Sequence, residues 1–205
     1  MQTLIAIPAL NWIYTEFLDC MLRLDKPNAH YAIQKNTLIH DARSNLAWGA
    51  VQNGYDRVLW LDSDMIFEPD LLVRLNADMD DNGLDCVSAY YVERRMEPQP
   101  CIYSQLIWER SEDGEIRRGS QVIPECPDGL FEIAGMGFGA CLMKTEMIKA
   151  VYEAFGAPFQ PLPYMGEDMS FCIRARQLGW KLWCDGRIHV GHIGTHIYRE
   201  AGEHV

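Results

Sequence analysis

Arg57-Val58-Leu59-Trp60-Leu61-Asp62-Ser63-Asp64 decides how this chain is read. An uninterrupted apolar stretch runs straight into two carboxylates one residue apart. A short apolar run with a polar stop is the pattern of a buried central strand. In open α/β sheets the ligand crevice lies at the carboxyl ends of such strands, so these acids stand where ligands bind. Two carboxylates leaving one strand end can divide the work. One can take a hard cation while its neighbour reaches a ligand hydroxyl. Mg²⁺ and Mn²⁺ favour such oxygen ligands and are commonly completed by phosphate oxygens.

On the amino-terminal side, residues 3–7 read as a buried strand stopped by Pro8, and residues 14–24 as a helix with Phe17, Leu18, Met21 and Leu22 at helical spacing. Residues 31–33 form a second strand. Residues 41–52 form a second helix, with Leu46, Trp48 and Ala50 facing inward and Gly54 as its stop. Beyond Asp64, Glu68-Pro69-Asp70 opens a third helix with Pro in its first turn and acids at its positive end. Residues 85–91 return as a strand. This alternation predicts βαβ units and a mostly parallel sheet flanked by helices. After about residue 92 the pattern becomes irregular. Residues 101–110 and 115–118 flank a hairpin turn at Ser111-Glu112-Asp113-Gly114, and residues 130–143 are extended and glycine-rich. Helices over 145–155 and 167–178 follow, then short strands at 181–184 and 187–190. With no repeat and no long linker, the expectation is one α/β domain over 1–205.

Composition narrows the function classes. Apolar residues make up 48% of the 205, enough for a substantial core. Eighteen Lys and Arg against 29 Asp and Glu give a net charge of −11, which disfavours a nucleic-acid surface. A small phosphorylated ligand stays open if a metal supplies local positive charge. No apolar run approaches the roughly 18 residues a membrane span needs. Seven cysteines without a C-x-x-C pair, and no secretory leader, point to the reducing cytoplasm; Cys86, Cys141 and Cys184 read as buried small hydrophobes. Oligomeric state has no sequence signal.

Four further features can carry chemistry. Gly166-Glu167-Asp168 starts a helix, whose positive end should keep both carboxylates ionised, and an ionised carboxylate over a cleft can act as a general base. In His189-Val190-Gly191-His192-Ile193-Gly194-Thr195-His196, the glycines exclude a helical two-histidine zinc site. Among these histidines, His192 lies just past an apolar strand between two glycines, the best placed to ligate. Arg43 stands near the start of the second helix, where it could meet a diphosphate. Gly135, Gly137 and Gly139 alternate in an extended segment, which lets another group approach the backbone closely; they do not join an early strand to a helix, as a dinucleotide fingerprint requires. Each feature alone has a plainer role: a solvated strand exit, ordinary helix-end charge, a packed histidine or an exposed arginine. A phosphatase of the haloacid dehalogenase type would want its paired aspartates on the first strand, with Thr or Val where Ile66 stands.

Taken in order, these features resemble the GT-A glycosyltransferases, most closely compact family 2-like members, from the first strand to His192. The resemblance implies a Rossmann-like GT-A fold, with 1–92 as the nucleotide-binding half and 93–205 as the sugar and acceptor half. Pro8 and the residues after it would help hold the nucleotide base, and Ala42-Arg43-Ser44-Asn45 resembles the family element whose Arg lies near the nucleotide. Asp62-Ser63-Asp64 would be the DxD motif, with Asp62 on the ribose or base, Ser63 beside it, and Asp64 on Mn²⁺ or Mg²⁺. Gly137 would line the donor-sugar site, and His192 would complete the metal site. Asp168 would be the catalytic base of an inverting enzyme, with Glu167 positioning hydroxyls. The implied activity is transfer of a sugar from a UDP- or GDP-linked donor to an unidentified acceptor hydroxyl. The alternatives are a sugar-nucleotide nucleotidyltransferase, which usually carries a Gly-rich basic loop where Asn11-Trp12-Ile13-Tyr14 stands, and a non-catalytic nucleotide-sugar or carbohydrate-binding protein. The segment from Ile193 onward is expected to close over the donor.

Overall fold

The computed structural model describes residues 1–194 and the backbone of 197–198; most of the expected closing segment lies outside the described residues. Its first half runs β1 (Thr3–Ala9), α1 (Thr15–Arg23), β2 (Ala29–Lys35), α2 (Ile39–Gln52), β3 (Arg57–Leu61), β4 (Met65–Ile66), α3 (Leu71–Asn82) and β5 (Cys86–Tyr90). The second half runs β6 (Ile102–Arg110), β7 (Ile116–Val122), β8 (Leu130–Ile133), β9 (Gly135–Met136), β10 (Ala140–Lys144), α4 (Thr145–Phe155), α5 (Glu167–Gln177), β11 (Leu182–His189), β12 (Gly191–Ile193) and β13 (Ile197–Tyr198).

Seven strands form the central sheet in the order β2-β1-β3-β10-β5-β11-β8. Five of them run one way; β10 and β8 run against them. The alternation of side chains along each strand sorts the core into two layers. Leu4, Ala6, Val58, Trp60, Cys141 and Met143 face α2, α4 and α5. Ile5, Ile7, Leu59, Leu61, Ala140 and Leu142 face α1 and α3. The result is an α/β fold with a mainly parallel sheet between two helical layers, as the sequence predicts. Cys86, Cys141 and Cys184 are buried. Among the described residues, no helix is long and apolar enough to cross a membrane.

Several local expectations need correction. Pro8 does not stop β1, which pairs with β2 as far as Ala9. Its pairing with β3 ends at Ala6, so a residue without an N–H is tolerated at the open edge beyond. Trp48 is 46% exposed while Leu46 and Ala50 are buried: positions two apart on a helix do not share a face. Helix α3 begins at Leu71, after Pro69 and the neighbouring acids. The two short strands expected after residue 180 are one strand, β11, with an irregularity between Asp185 and His189.

Two smaller sheets complete the site end. β7-β6-β9 builds one wall around the hairpin. β13-β12-β4 ties the late histidine segment to the chain just after Asp64, with Gly191 opposite Ile66 and His192 opposite Met65.

Candidate functional site

β1, β3 and β5 run parallel, so their carboxyl ends open on the same side of the sheet. A cavity of about 520 Å³ lies there. Pro8, Arg43, Asp62, Ser63 and Asp64 line it from the first half of the chain. Gly137, Glu167, Asp168 and His192 line it from the second. Every site residue expected from the sequence therefore meets in one place, although the segments are far apart along the chain.

The β4–β12 pairing fixes Asp64 and His192 together. The Ile193 N–H donates to the Asp64 carbonyl at 2.7 Å, and His192 Nε2 lies 3.6 Å from Asp64 Oδ2. His192 Nδ1 is 2.8 Å from the Val92 carbonyl. A carbonyl only accepts, so Nδ1 donates to Val92, and that bond holds the ring with Nε2 turned toward Asp64. Asp64 Oδ1 is buried without a hydrogen-bond partner. Burial alone would raise the Asp64 pKa, but the His192 contact and the charge of Arg94 outweigh it and hold the carboxyl low.

Among the described residues no three His, Cys, Asp or Glu side chains are grouped to hold a metal ion by themselves. Asp64 and His192 are nonetheless ligand types that Mg²⁺ or Mn²⁺ can use. Such ions commonly take one or two protein ligands and fill the rest with water and phosphate oxygens. Asp64 and His192 offer that kind of partial set: Asp64 Oδ1 is unpartnered, while Oδ2 lies 3.6 Å from His192 Nε2 and 2.7 Å from Arg94 Nη1.

Arg43 sits differently from the expectation. It is 2% exposed, its guanidinium lies 5.5 Å from the ring centres of both Trp60 and Phe138, and it bridges two acids. Nη2 donates to Asp62 Oδ1 at 2.9 Å and Nε to Glu167 Oε1 at 3.1 Å. Arg43 thus ties the DxD segment to the start of α5, with its Nη1 buried and unpartnered. Burial pushes the Asp62 carboxyl up, more than the Arg43 charge draws it back.

Asp168 also departs from the sequence reading. Burial, then the adjacent Glu167, push its carboxyl up to about 7, against the pull of the Met169 N–H and Arg43. The helix end does supply a donor, Met169 N–H to Asp168 Oδ1 at 2.7 Å, but desolvation wins. A carboxylate near neutrality is poised to accept a proton. Gly166 has a conventional backbone; a Cβ there would come within 2.8 Å of Asp168 Oδ1. The residue is small to leave that carboxylate its place.

The alternating glycines do admit a close neighbour, and it is internal. A Cβ on Gly137 would lie 2.0 Å from Tyr91 Oη, and one on Gly139 would lie 2.8 Å from Tyr91 Cζ. The Gly139 N–H donates to Tyr91 Oη at 3.0 Å. Tyr91, Arg94, Trp12 and Tyr103 line the cavity and were missed by the sequence reading. Arg94 Nη1 lies 2.7 Å from Asp64 Oδ2. A signal existed for it: Arg94-Arg95 follows the carboxyl end of the strand expected over residues 85–91, the end at which ligands gather in such sheets.

No family model matches the chain, and no curated protein matches it in sequence. Solved structures do resemble it. A197 from STIV aligns with a TM-score of 0.69 at 18% identity, covering 100% of this chain and 97% of that one. GalNAc-T7, solved with UDP, GalNAc and Mn²⁺, aligns with a TM-score of 0.59 at 13% identity, over 100% of this chain and 45% of that one. GalNAc-T7 is a GT-A glycosyltransferase. The likeness supports a GT-A-like fold for this chain, which spans less than half of that neighbour.

Proposed function

We propose that this chain is a metal-dependent glycosyltransferase that moves a sugar from a UDP- or GDP-linked donor to an acceptor hydroxyl with inversion. The observation that carries the reading is the convergence of Asp62, Asp64, His192 and Asp168 on one cavity at the carboxyl end of β3. The GT-A-like fold, with a neighbour solved with UDP and Mn²⁺, supports it.

In this reading Asp64 and His192 hold Mn²⁺ or Mg²⁺. When bound, the ion neutralises the diphosphate charge that grows as the leaving group departs. Asp62 orients the ribose or base, with Pro8 and Ser63 beside the nucleotide, and Gly137 borders the sugar. Arg43 keeps Asp62 and Glu167 in fixed relation from beneath. Asp168 takes the proton of the acceptor hydroxyl. The freed oxygen bonds to the anomeric carbon as that carbon's bond to the diphosphate oxygen breaks, and the electron pair leaves with the nucleoside diphosphate. Glu167 is held by Arg43, which suits positioning rather than proton transfer. The halves 1–92 and 93–205 then serve donor and acceptor within one domain, and a reducing cytoplasm is the proposed setting.

Thermal unfolding with a panel of UDP-, GDP-, CMP- and dTDP-sugars, each with Mn²⁺ and with excess chelator, tests this. A donor at 100 times its Kd adds about 2.7 kcal/mol. One nucleotide class should raise Tm with metal and fail with chelator; stabilisation that ignores chelator would remove the metal-dependent reading.

A further inference from the structure

We propose that a second cavity beside Asp168 is a saccharide-acceptor subsite with Tyr164 as its stacking platform. This rests on the glycosyl-transfer reading above. The second cavity, about 370 Å³, is bordered by Tyr103 and Met169, which also border the larger one. Met165 and Gly166, just before the Glu167-Asp168 pair, line it too. Asp168 faces the larger cavity, so the base stands near the seam between the two. A donor anchored by Asp62 and Asp64 occupies the larger cavity. A group that gives its proton to Asp168 must extend away from that donor, and the second cavity is the space next to the base.

Tyr164 is the feature that assigns a ligand to this space. It is 75% exposed and has φ +66°, a left-handed backbone that bulky residues avoid. The neighbouring wall holds it there. Arg118 Nη1 donates to the Tyr164 carbonyl at 2.9 Å, and the Arg118 guanidinium lies 4.9 Å from the centre of the Tyr164 ring. Trp108 Nε1 donates to the Pro163 carbonyl at 3.1 Å. Strained, exposed residues that the surroundings over-determine gather at ligand clamps.

The lining chemistry selects the class. Arg118 is the charged side chain in it and no carboxylate is present, so a cationic acceptor finds no partner. Tyr164, Leu106 and Met165 offer apolar surface, while Arg118 and Ser120 offer donors to hydroxyl oxygens. A pyranose has this dual character: a C–H face to cover an aromatic ring and a rim of hydroxyls. The volume lies at the small end of ligand cavities, about 300–1,000 Å³, which suits a ring better than an extended chain.

The test uses ligand-observed NMR on the full chain. The probes are methyl glycosides of glucose, galactose, mannose and N-acetylglucosamine, beside an uncharged Ser/Thr peptide. Tyr164→Asn removes the ring but suits a left-handed backbone, so it should fold at least as stably as the parent. At least one glycoside should bind saturably, and Tyr164→Asn should weaken it about tenfold or more with Mn²⁺–UDP binding unchanged. Absence of glycoside binding, binding indifferent to Tyr164→Asn, or preference for the peptide at this ring would each overturn the subsite. Failure of the transferase reading would show separately, as loss of metal-dependent nucleotide binding in the parent itself.

Discussion

At the scale of single residues, Asp168 carries the most specific consequences. Its folded pKa of about 7 lies above the roughly 3.9 of an aspartate in an unfolded chain. The folded state therefore keeps a proton that the unfolded chain has released. The stability this supplies is full below pH about 4 and is lost as pH rises through about 7. Asp168→Asn cannot ionise, so it should be more stable than the parent at pH 8 and lose that advantage at pH 4, as calorimetry at both values would reveal. Activity should move the opposite way. Turnover in the parent should rise through pH about 7 as the base ionises. Asp168→Asn should lower it by about 10² to 10⁴ while donor affinity holds, and Glu167→Gln should lower it less. Parental turnover in Asp168→Asn would place the base elsewhere. Gly166→Ala makes a finer test, because its Cβ would crowd Asp168 Oδ1. The carboxylate can shift at little expense to the fold, so turnover should fall while Tm changes little. A large fall in Tm with normal turnover would reverse that ranking.

At the scale of elements, the segments meet through pairings that no local pattern announces. β12 reaches Asp64 because it pairs with β4, the short strand after the DxD. β10 inserts between β3 and β5, bringing the glycine segment against Tyr91. That contact can be measured. In Gly137→Ala the new methyl would meet Tyr91 Oη, and overpacking of this kind costs about 1–3 kcal/mol. The loss should shrink in a Tyr91→Phe background, where the colliding oxygen is gone. Denaturant unfolding of the four proteins gives the coupling; additive losses would mean that Gly137 answers to another neighbour. The larger elements are legible in the sequence, and the strand of residues 57–61 and the helix of 145–155 match their observed bounds, whereas the short strands β4 and β12 have no local signal. The misread features are local and have physical causes. A proline after an apolar run reads as a strand stop, yet one side of β1 is open beyond Ala6 and needs no N–H there. Trp48 was turned inward for its hydrophobicity, although helix phase points it toward Tyr152, with ring centres 5.2 Å apart.

At the scale of the whole molecule, the proposed function asks a chain of net charge −11 to bind an anionic diphosphate against its own field. Arg43 is occupied by two acids, so a divalent ion is the natural remedy. Asp64→Ala should abolish the metal-dependent part of nucleoside diphosphate binding and leave the protein folded. Calorimetry with UDP and GDP, with and without Mn²⁺, reads this directly; equal affinity in chelator would remove Asp64 from a metal role.

Local sequence pattern was enough for the α/β class, the order of the larger elements and a set of candidate residues. Strand alternation, helix phase and acids at a strand end are properties of neighbouring residues and survive without a folded partner. Only the tertiary structure decided what those residues face. Arg43 became a buried bridge because β3 and α5 bring Asp62 and Glu167 to its two sides. Asp168 is raised toward neutrality because partial burial and the adjacent Glu167 outweigh the helix end, which helix-end reasoning cannot foresee. Tyr164 is held in an exposed place because Arg118 and Trp108, far away in the chain, bond to its carbonyl and to that of Pro163. Desolvation and long-range pairing depend on which surfaces meet, and that is settled only when the layers close.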